Sequence, residues 1–313
     1  MLYFWILFNV FALGMLLLDL VVFHRSGRMV RSREALAWSA MWIALAFAFA
    51  GLVFFWQGRQ VALEFVTGYV LELSLSVDNL FLFLVIFRYF SVPEQYQRSV
   101  LFWGILGALL MRGVFILAGV GLIQRFHWIV YVLGAGLVYS GIRLGLSGEH
   151  HVDPARNPAV RALRRLLPVT DDFHGGRFFV RSWKGKPGLY ATPLLIVLAV
   201  IETTDLLFAV DSIPAVLAVT LNAFIVYTSN VFAILGLRSM YFAVSGLMKV
   251  FRFLHTGLAL VLILVGAKMI AADYFHKHNI DIPTHVTLAV VAGVLTISII
   301  ASATFPGQKS SNN

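Results

Sequence analysis

Five carboxylates interrupt two runs of otherwise apolar sequence: Glu72 and Asp78 in one, Glu202, Asp205 and Asp211 in the other. An ionised side chain at the centre of a bilayer costs about 2.5–3.5 kcal/mol on insertion scales, so five of them need partners. Three bases lie in comparable stretches: Arg112, Arg238 and Lys268. Five acids against three bases leave two negative charges, which one divalent cation would neutralise. Protonation of the carboxylates would do the same. The donors available around these acids are all oxygen: carboxylates, the amide of Asn79, and the hydroxyls of Ser76 and Ser212. Such a set suits hard cations such as Mn²⁺, Mg²⁺ and Ca²⁺. The chain has no cysteine and no histidine deep in the apolar runs, which disfavours zinc and copper. Donor chemistry alone does not choose among the hard cations.

Spacing brings several of these groups together. On a helix, Glu72, Ser76 and Asn79 fall on one stripe, and Asp205 and Ser212 share another, with Glu202 one turn before Asp205. Asp78 and Asp211 lie beside those stripes. Pro214 removes a backbone donor and leaves the Val210 carbonyl without its helical partner. A kink there is expected to turn Asp211 inward, as in membrane helices broken at ion sites. Two plainer readings use the same residues. The acids could serve only as glue between helices, paired with Arg112, Arg238 and Lys268, or they could relay protons without a metal.

The elements that must position these side chains are membrane helices. The chain is 60% hydrophobic and 12% charged, where soluble domains carry about a quarter charged residues. Apolar blocks of about 20 residues, enough to span a bilayer core, recur along it. Nine spans are expected, at roughly 2–23, 35–56, 63–87, 97–121, 127–147, 190–218, 223–246, 256–275 and 284–304. The first lacks the basic leader and small-residue cleavage site of a signal peptide and reads as an uncleaved span. The fold class is therefore an all-α polytopic membrane protein forming a single transmembrane domain over 1–313.

The net charge of +9 is distributed as topology, not as a nucleic-acid surface. Basic residues crowd alternate gaps: Arg25, Arg28, Arg31 and Arg33; Arg88 and Arg98; Arg156 through Lys186; Lys249 and Arg252. The gaps between hold only Arg59, Arg125 and Lys277. The positive-inside rule then places the N-terminus outside and the C-terminus in the cytoplasm.

The chain also repeats itself. Superimposing Val77-Asp78-Asn79 on Val210-Asp211-Ser212 places Glu72 on Asp205. Further on, MRGVF at 111–115 matches LRSMY at 237–241 and pairs Arg112 with Arg238. Gly141-Ile142-Arg143 then matches Gly266-Ala267-Lys268. Two three-helix units follow, repeat 1 over about 63–147 and repeat 2 over about 190–276, separated by a cytoplasmic loop of about 148–189. An odd number of helices per unit makes the repeat inverted, an architecture in which transporters place their site at the interface between the two copies.

Three long motifs carry a family resemblance: ELSLSVDNLF (72–81), YATPLLIVLAVIETTDLLFAVDSIPAVLAVT (190–220) and TSNVFAILGLRSMYF (228–242). They resemble the TerC family of membrane proteins, and most closely its Alx-type members, which are regarded as manganese exporters. The resemblance runs from the first span to the last. It implies efflux of Mn²⁺ from the cytoplasm across the plasma (inner) membrane, with Glu72, Asp78, Glu202, Asp205 and Asp211 as the site. This chain keeps all five acids and reads Thr-Thr at 203–204 beside them. The expected function is therefore secondary transport, with Mn²⁺ as cargo and not as a cofactor, and with H⁺ as a candidate exchanged ion. Two alternatives use the same sequence: a membrane scaffold supporting metal loading of secreted enzymes, and a metal-independent proton carrier.

Other features have plainer uses. Asp19 reads as an interfacial residue of the first span. Asp273, Asp281, His276 and His278 read as loop residues at an outer mouth. His150, His151 and Asp153 read as ordinary loop polarity. The segment 158–167 alternates basic and apolar residues and is expected to form a short helix on anionic lipid. No phosphate-binding glycine loop and no serine–histidine pair within the spans points to an enzyme, and no prosthetic group is expected.

Overall fold

The computed structural model describes residues 2–25, 32–147, 158–244, 253–278 and 282–304. The helices are α1 (Leu2–Arg25), α2 (Ser32–Gln57), α3 (Arg59–Tyr89), α4 (Glu94–Arg125), α5 (Ile129–Ser147), α6 (Pro158–Leu166), α7 (Pro193–Leu217), α8 (Ala223–Val244), α9 (Leu254–Lys277) and α10 (Thr284–Thr304). Helices dominate because a chain in lipid must pair every backbone N–H and C=O within itself. The nine expected spans coincide with α1–α5 and α7–α10, to within four residues at each end. Eight of these helices, α2–α5 and α7–α10, are long and apolar enough to cross a membrane. In α1 the corresponding apolar stretch among the described residues, Tyr3–Leu18, is shorter. Large apolar side chains on the outer faces, such as Phe55 and Leu146 at 89% and 82% exposure, present a surface suited to lipid. The protein is an all-α polytopic membrane protein.

α2 and α3 are joined at a single residue. Gly58 has φ 89°, a left-handed conformation that lets the chain reverse between two helices with no longer connection.

The segment between α5 and α7 holds more structure than a plain connection. α6 forms where its basic–apolar alternation predicts a helix. It packs on α7, with Val160 buried and Leu163 beside it, while Arg161, Arg164 and Arg165 face outward. A two-stranded hairpin, β1 (Phe179–Trp183) and β2 (Lys186–Ala191), follows. Its two turn residues, Lys184 and Gly185, have φ 50° and 76°, as a type I′ turn requires.

α7 stays helical through Pro214 and ends one turn later. Loss of one ladder bond close to a helix end leaves the flanking bonds to hold the last turn. The N–H of Ala218, for instance, donates to the Pro214 carbonyl.

Packing follows the internal match. α3 lies against α8 as α4 lies against α7, while α5 meets α9, α3 meets α7 and α4 meets α8. Exchanging α3–α5 for α7–α9 returns the same set of neighbours. The closest contact, α5 on α9, has the same property in detail. A Cβ on Gly134 would stand 3.0 Å from the Gly266 carbonyl, and one on Gly141 would stand 2.7 Å from the Ala259 carbonyl. In the register that pairs Gly141 with Gly266, Gly134 pairs with Ala259, so the two approaches are equivalent. Small residues at such points let membrane helices pack backbone to backbone.

Gly141→Val should force α5 from α9 and cost about 1–3 kcal/mol. In detergent its thermal unfolding midpoint should fall. Gly136→Ala, where an added Cβ meets nothing within 4 Å, should leave the midpoint unchanged.

Candidate functional site

Asp205 is the central residue of the 25-residue α7. It receives a fork from Arg112 of α4: Nε donates to Oδ2 at 3.3 Å and Nη2 to Oδ1 at 3.2 Å. The same guanidinium meets Glu72 of α3 through Nη1. Nη1 also lies 3.3 Å from Ser212 Oγ on α7 and 3.3 Å from Asn230 Oδ1 on α8. All five side chains are buried, Glu72 at 0% and Arg112 at 1% exposure. One arginine thus ties together α3, α4, α7 and α8, and it joins the two acids that the internal match superimposes. A planar fork suits this role, since it can grip one carboxylate with two bonds and still offer a second nitrogen elsewhere.

Asn230 was not among the sequence candidates. Its signal was present, as an amide in the middle of an apolar helix within the quoted TSN at 228–230, but only the fold shows that it reaches Arg112.

Asp211 and Asn79 occupy a second setting. They line a cavity of about 70 Å³ together with Ser140 and Arg143 of α5, walled by Leu75, Leu144, Phe208 and Leu262. Ser140 Oγ donates to Asp211 Oδ1 at 2.6 Å. Leu75 and Phe208 fall at matched positions of the internal sequence alignment, and the lining comes from α3, α5, α7 and α9. Asp211 reaches it without a broken helix.

Glu202 has a third setting, half-buried one turn before Asp205 on α7. Its carboxylate lies against Gly107 of α4, where any side chain would collide with it. Among the described residues it has neither an ion pair nor a hydrogen bond.

The four acids whose side chains are described, Glu72, Glu202, Asp205 and Asp211, therefore occupy three separate settings. Among the described residues, no group of three or more carboxylate or imidazole side chains is placed to hold a single ion. Of the expected charge partners, Arg112 meets the acids directly. Arg238 is buried on α8, two turns beyond Asn230. Lys268 Nζ donates to Thr287 Oγ1 of α10 at 2.8 Å. Asp78 lies on α3, but its side chain is outside the described set, as are those of Asp19, Asp273 and His276. His150, His151, Asp153 and Asp281 are outside the described residues. His278 is exposed, its ring 4.3 Å from that of Tyr274.

Residues 57–310 match the Integral membrane protein TerC family. The chain belongs to the TerC family. It is 46% identical over 304 residues to a Salmonella typhi protein named "Putative membrane-bound redox modulator Alx", covering 94% of this chain and 91% of that one. The protein of that name from Escherichia coli K12 is 45% identical over 300 residues, 92% of this chain and 90% of its own. A membrane protein of Myxococcus xanthus is 47% identical over 298 residues, 95% of this chain and 91% of its own. No solved structure matches. The TerC match contains all nine candidate site residues, along with Asn230, Ser140 and Gly107.

Removing one member of a buried, charge-paired group costs about 3–5 kcal/mol, because the partner charge stays buried. Arg112→Met in this TerC protein should lose stability of that order, read as an earlier unfolding transition in mixed micelles titrated with sodium dodecyl sulfate. Glu202→Gln removes a charge that has no such partner, so its transition should be unchanged or later.

Proposed function

We propose that this TerC-family protein is a secondary transporter that exports a divalent metal ion from the cytoplasm, with Mn²⁺ as the cargo and H⁺ as the exchanged ion. One observation carries the reading: two buried carboxylates, Glu72 of α3 and Asp205 of α7, meet on one buried arginine among apolar helices. Ionisable groups at that depth mark ion and proton pathways more often than they serve as scaffolding. The neighbouring cavity adds the oxygen donors that a hard cation prefers, namely the Asp211 carboxylate, the Asn79 amide and the Ser140 hydroxyl. The charge distribution of the loops supports an orientation with the N-terminus outside and the C-terminus in the cytoplasm, and the plasma (inner) membrane is the location the family resemblance implies. The choice of manganese rests on family resemblance, and the choice of a hard cation rests on the donors.

The relatives named as redox modulators bear on this reading. A chain with no cysteine has no thiol to exchange. Moving a redox-active metal ion across the membrane would modulate redox balance without one. The folded segment formed by α6 and the hairpin favours a second role, as a cytoplasmic docking platform through which the protein supports metal loading of secreted enzymes.

The test is Mn²⁺ flux in proteoliposomes. Wild type should move Mn²⁺ down an imposed gradient, and Asp211→Asn should lower the initial rate by tenfold or more. Equal Mn²⁺ flux through both would remove Asp211 from the pathway. Proton flux in wild type that ignores added Mn²⁺ would instead identify a metal-independent proton carrier. Absence of both fluxes would favour the docking role.

A further inference from the structure

The hydrogen-bond inventory around Arg112 does not balance, and the imbalance has a direction. Nη1 carries two protons. Three acceptors crowd it: Glu72 Oε1, Ser212 Oγ and Asn230 Oδ1. Asp205 is already served by Nε and Nη2. Meanwhile, Glu72 is fully buried and its Oε2 meets no donor among the described residues. Ser76 Oγ, one helical turn along α3 from Glu72 and 1% exposed, has no partner there either. The Asn230 amide nitrogen, at the same centre, is likewise unpartnered. A buried polar atom left without a partner costs about 1–3 kcal/mol, so such atoms on Glu72 and Asn230, which both meet the guanidinium, and on Ser76 one turn from Glu72, mark a place where something more can be held.

If Arg112 gives up Glu72, no nitrogen of the guanidinium is left without an acceptor. Nη1 keeps two acceptors for its two protons, Ser212 and Asn230, and the fork to Asp205 is untouched. If it gave up Asp205, two donors would lose their partners. The two matched acids are therefore inequivalent: Asp205 is clamped and Glu72 is releasable.

We propose that Arg112 is a resident counter-ion with two positions. It holds Glu72 while the site is empty. It yields Glu72 to an arriving divalent cation, swinging Nη1 onto Ser212 and Asn230 while Asp205 anchors it. Glu72, with Ser76 beside it, then supplies the carboxylate and hydroxyl oxygens that meet the cation. Asp205 acts as a positioning residue for the guanidinium. This rests on the transport reading above and adds to it the identity of the competitor that the cation must displace.

The two positions make opposite demands on two sets of variants. Removing the competitor with Arg112→Gln should free Glu72 and tighten Mn²⁺ binding by tenfold or more. Removing the alternative acceptors with the double substitution Ser212→Ala and Asn230→Ala should tie Nη1 to Glu72 and weaken Mn²⁺ binding by tenfold or more, although neither residue is charged. Free Mn²⁺ would be counted by its electron paramagnetic resonance signal during titration of purified protein in detergent at fixed pH. Glu72→Gln provides the reference for loss of the ligand. A merely structural arginine would move both sets toward weaker binding. That outcome, or unchanged affinity in folded variants, overturns the proposal. Should Arg112→Gln fail to fold, wild-type affinity in the Ser212/Asn230 variant is still an overturning result. If wild type itself binds no Mn²⁺, the transport reading fails, which is a different result from wild type binding while the variants keep the same affinity.

Discussion

A guanidinium set among carboxylates in the middle of an apolar bundle governs what its neighbours can be. In a medium that cannot solvate charge, Glu72 and Asp205 are tolerable because Arg112 stands between them, and Arg112 is tolerable because both acids reach it. Each of these residues comes from a different helix. The ionic group therefore fixes how α3, α4 and α7 sit on one another, and Asn230 draws α8 into the same arrangement. The glycines of α5 and α9 do complementary work at the far side of the two units. There the helices approach backbone to backbone, with apolar side chains such as Leu137, Ile263 and Ile270 packed around the contact.

The same centre shows why a repeated sequence need not make two equal sites. The internal match superimposes Glu72 on Asp205, and a strictly symmetric bundle would treat them alike. A single arginine cannot. Its fork closes on one carboxylate, and the remaining nitrogen is divided among three acceptors. Asymmetry of this kind is what a carrier needs if one acid is to anchor the machinery while the other trades partners. Glu202, which aligns with Tyr69 in the internal match, adds to the asymmetry.

Much of this was legible before any coordinates. Apolar blocks of bilayer length gave the helices to within a turn, since a span must be both long enough and free of unpaired backbone. The depth of the five acids followed from their place in those blocks. Charge balance named Arg112 as one of three bases, with Arg238 and Lys268, and did not single it out. Membership of the TerC family was visible in three motifs. Other features were not legible. Pro214 suggested a broken helix, because a proline inside a helix removes one backbone donor and crowds the preceding turn. Its real cost depended on its place one turn from the end of α7. The hairpin at 179–191 was missed because two short strands with a Lys-Gly turn carry little signal beside 20-residue apolar runs.

Amino-acid order thus determined the solvent this protein lives in, the number and limits of its long helices, and which charged residues it would have to bury. Those properties depend on composition and on spacing within single segments. Tertiary structure decided which acid meets which base. It clamped Asp205, left an oxygen of Glu72 open, brought Asn230 to Arg112, and placed Asp211 on a cavity with Ser140 and Arg143. The physical reason is that Coulomb and hydrogen-bond energies depend on distances between helices far apart in the chain, which periodicity along one helix does not encode.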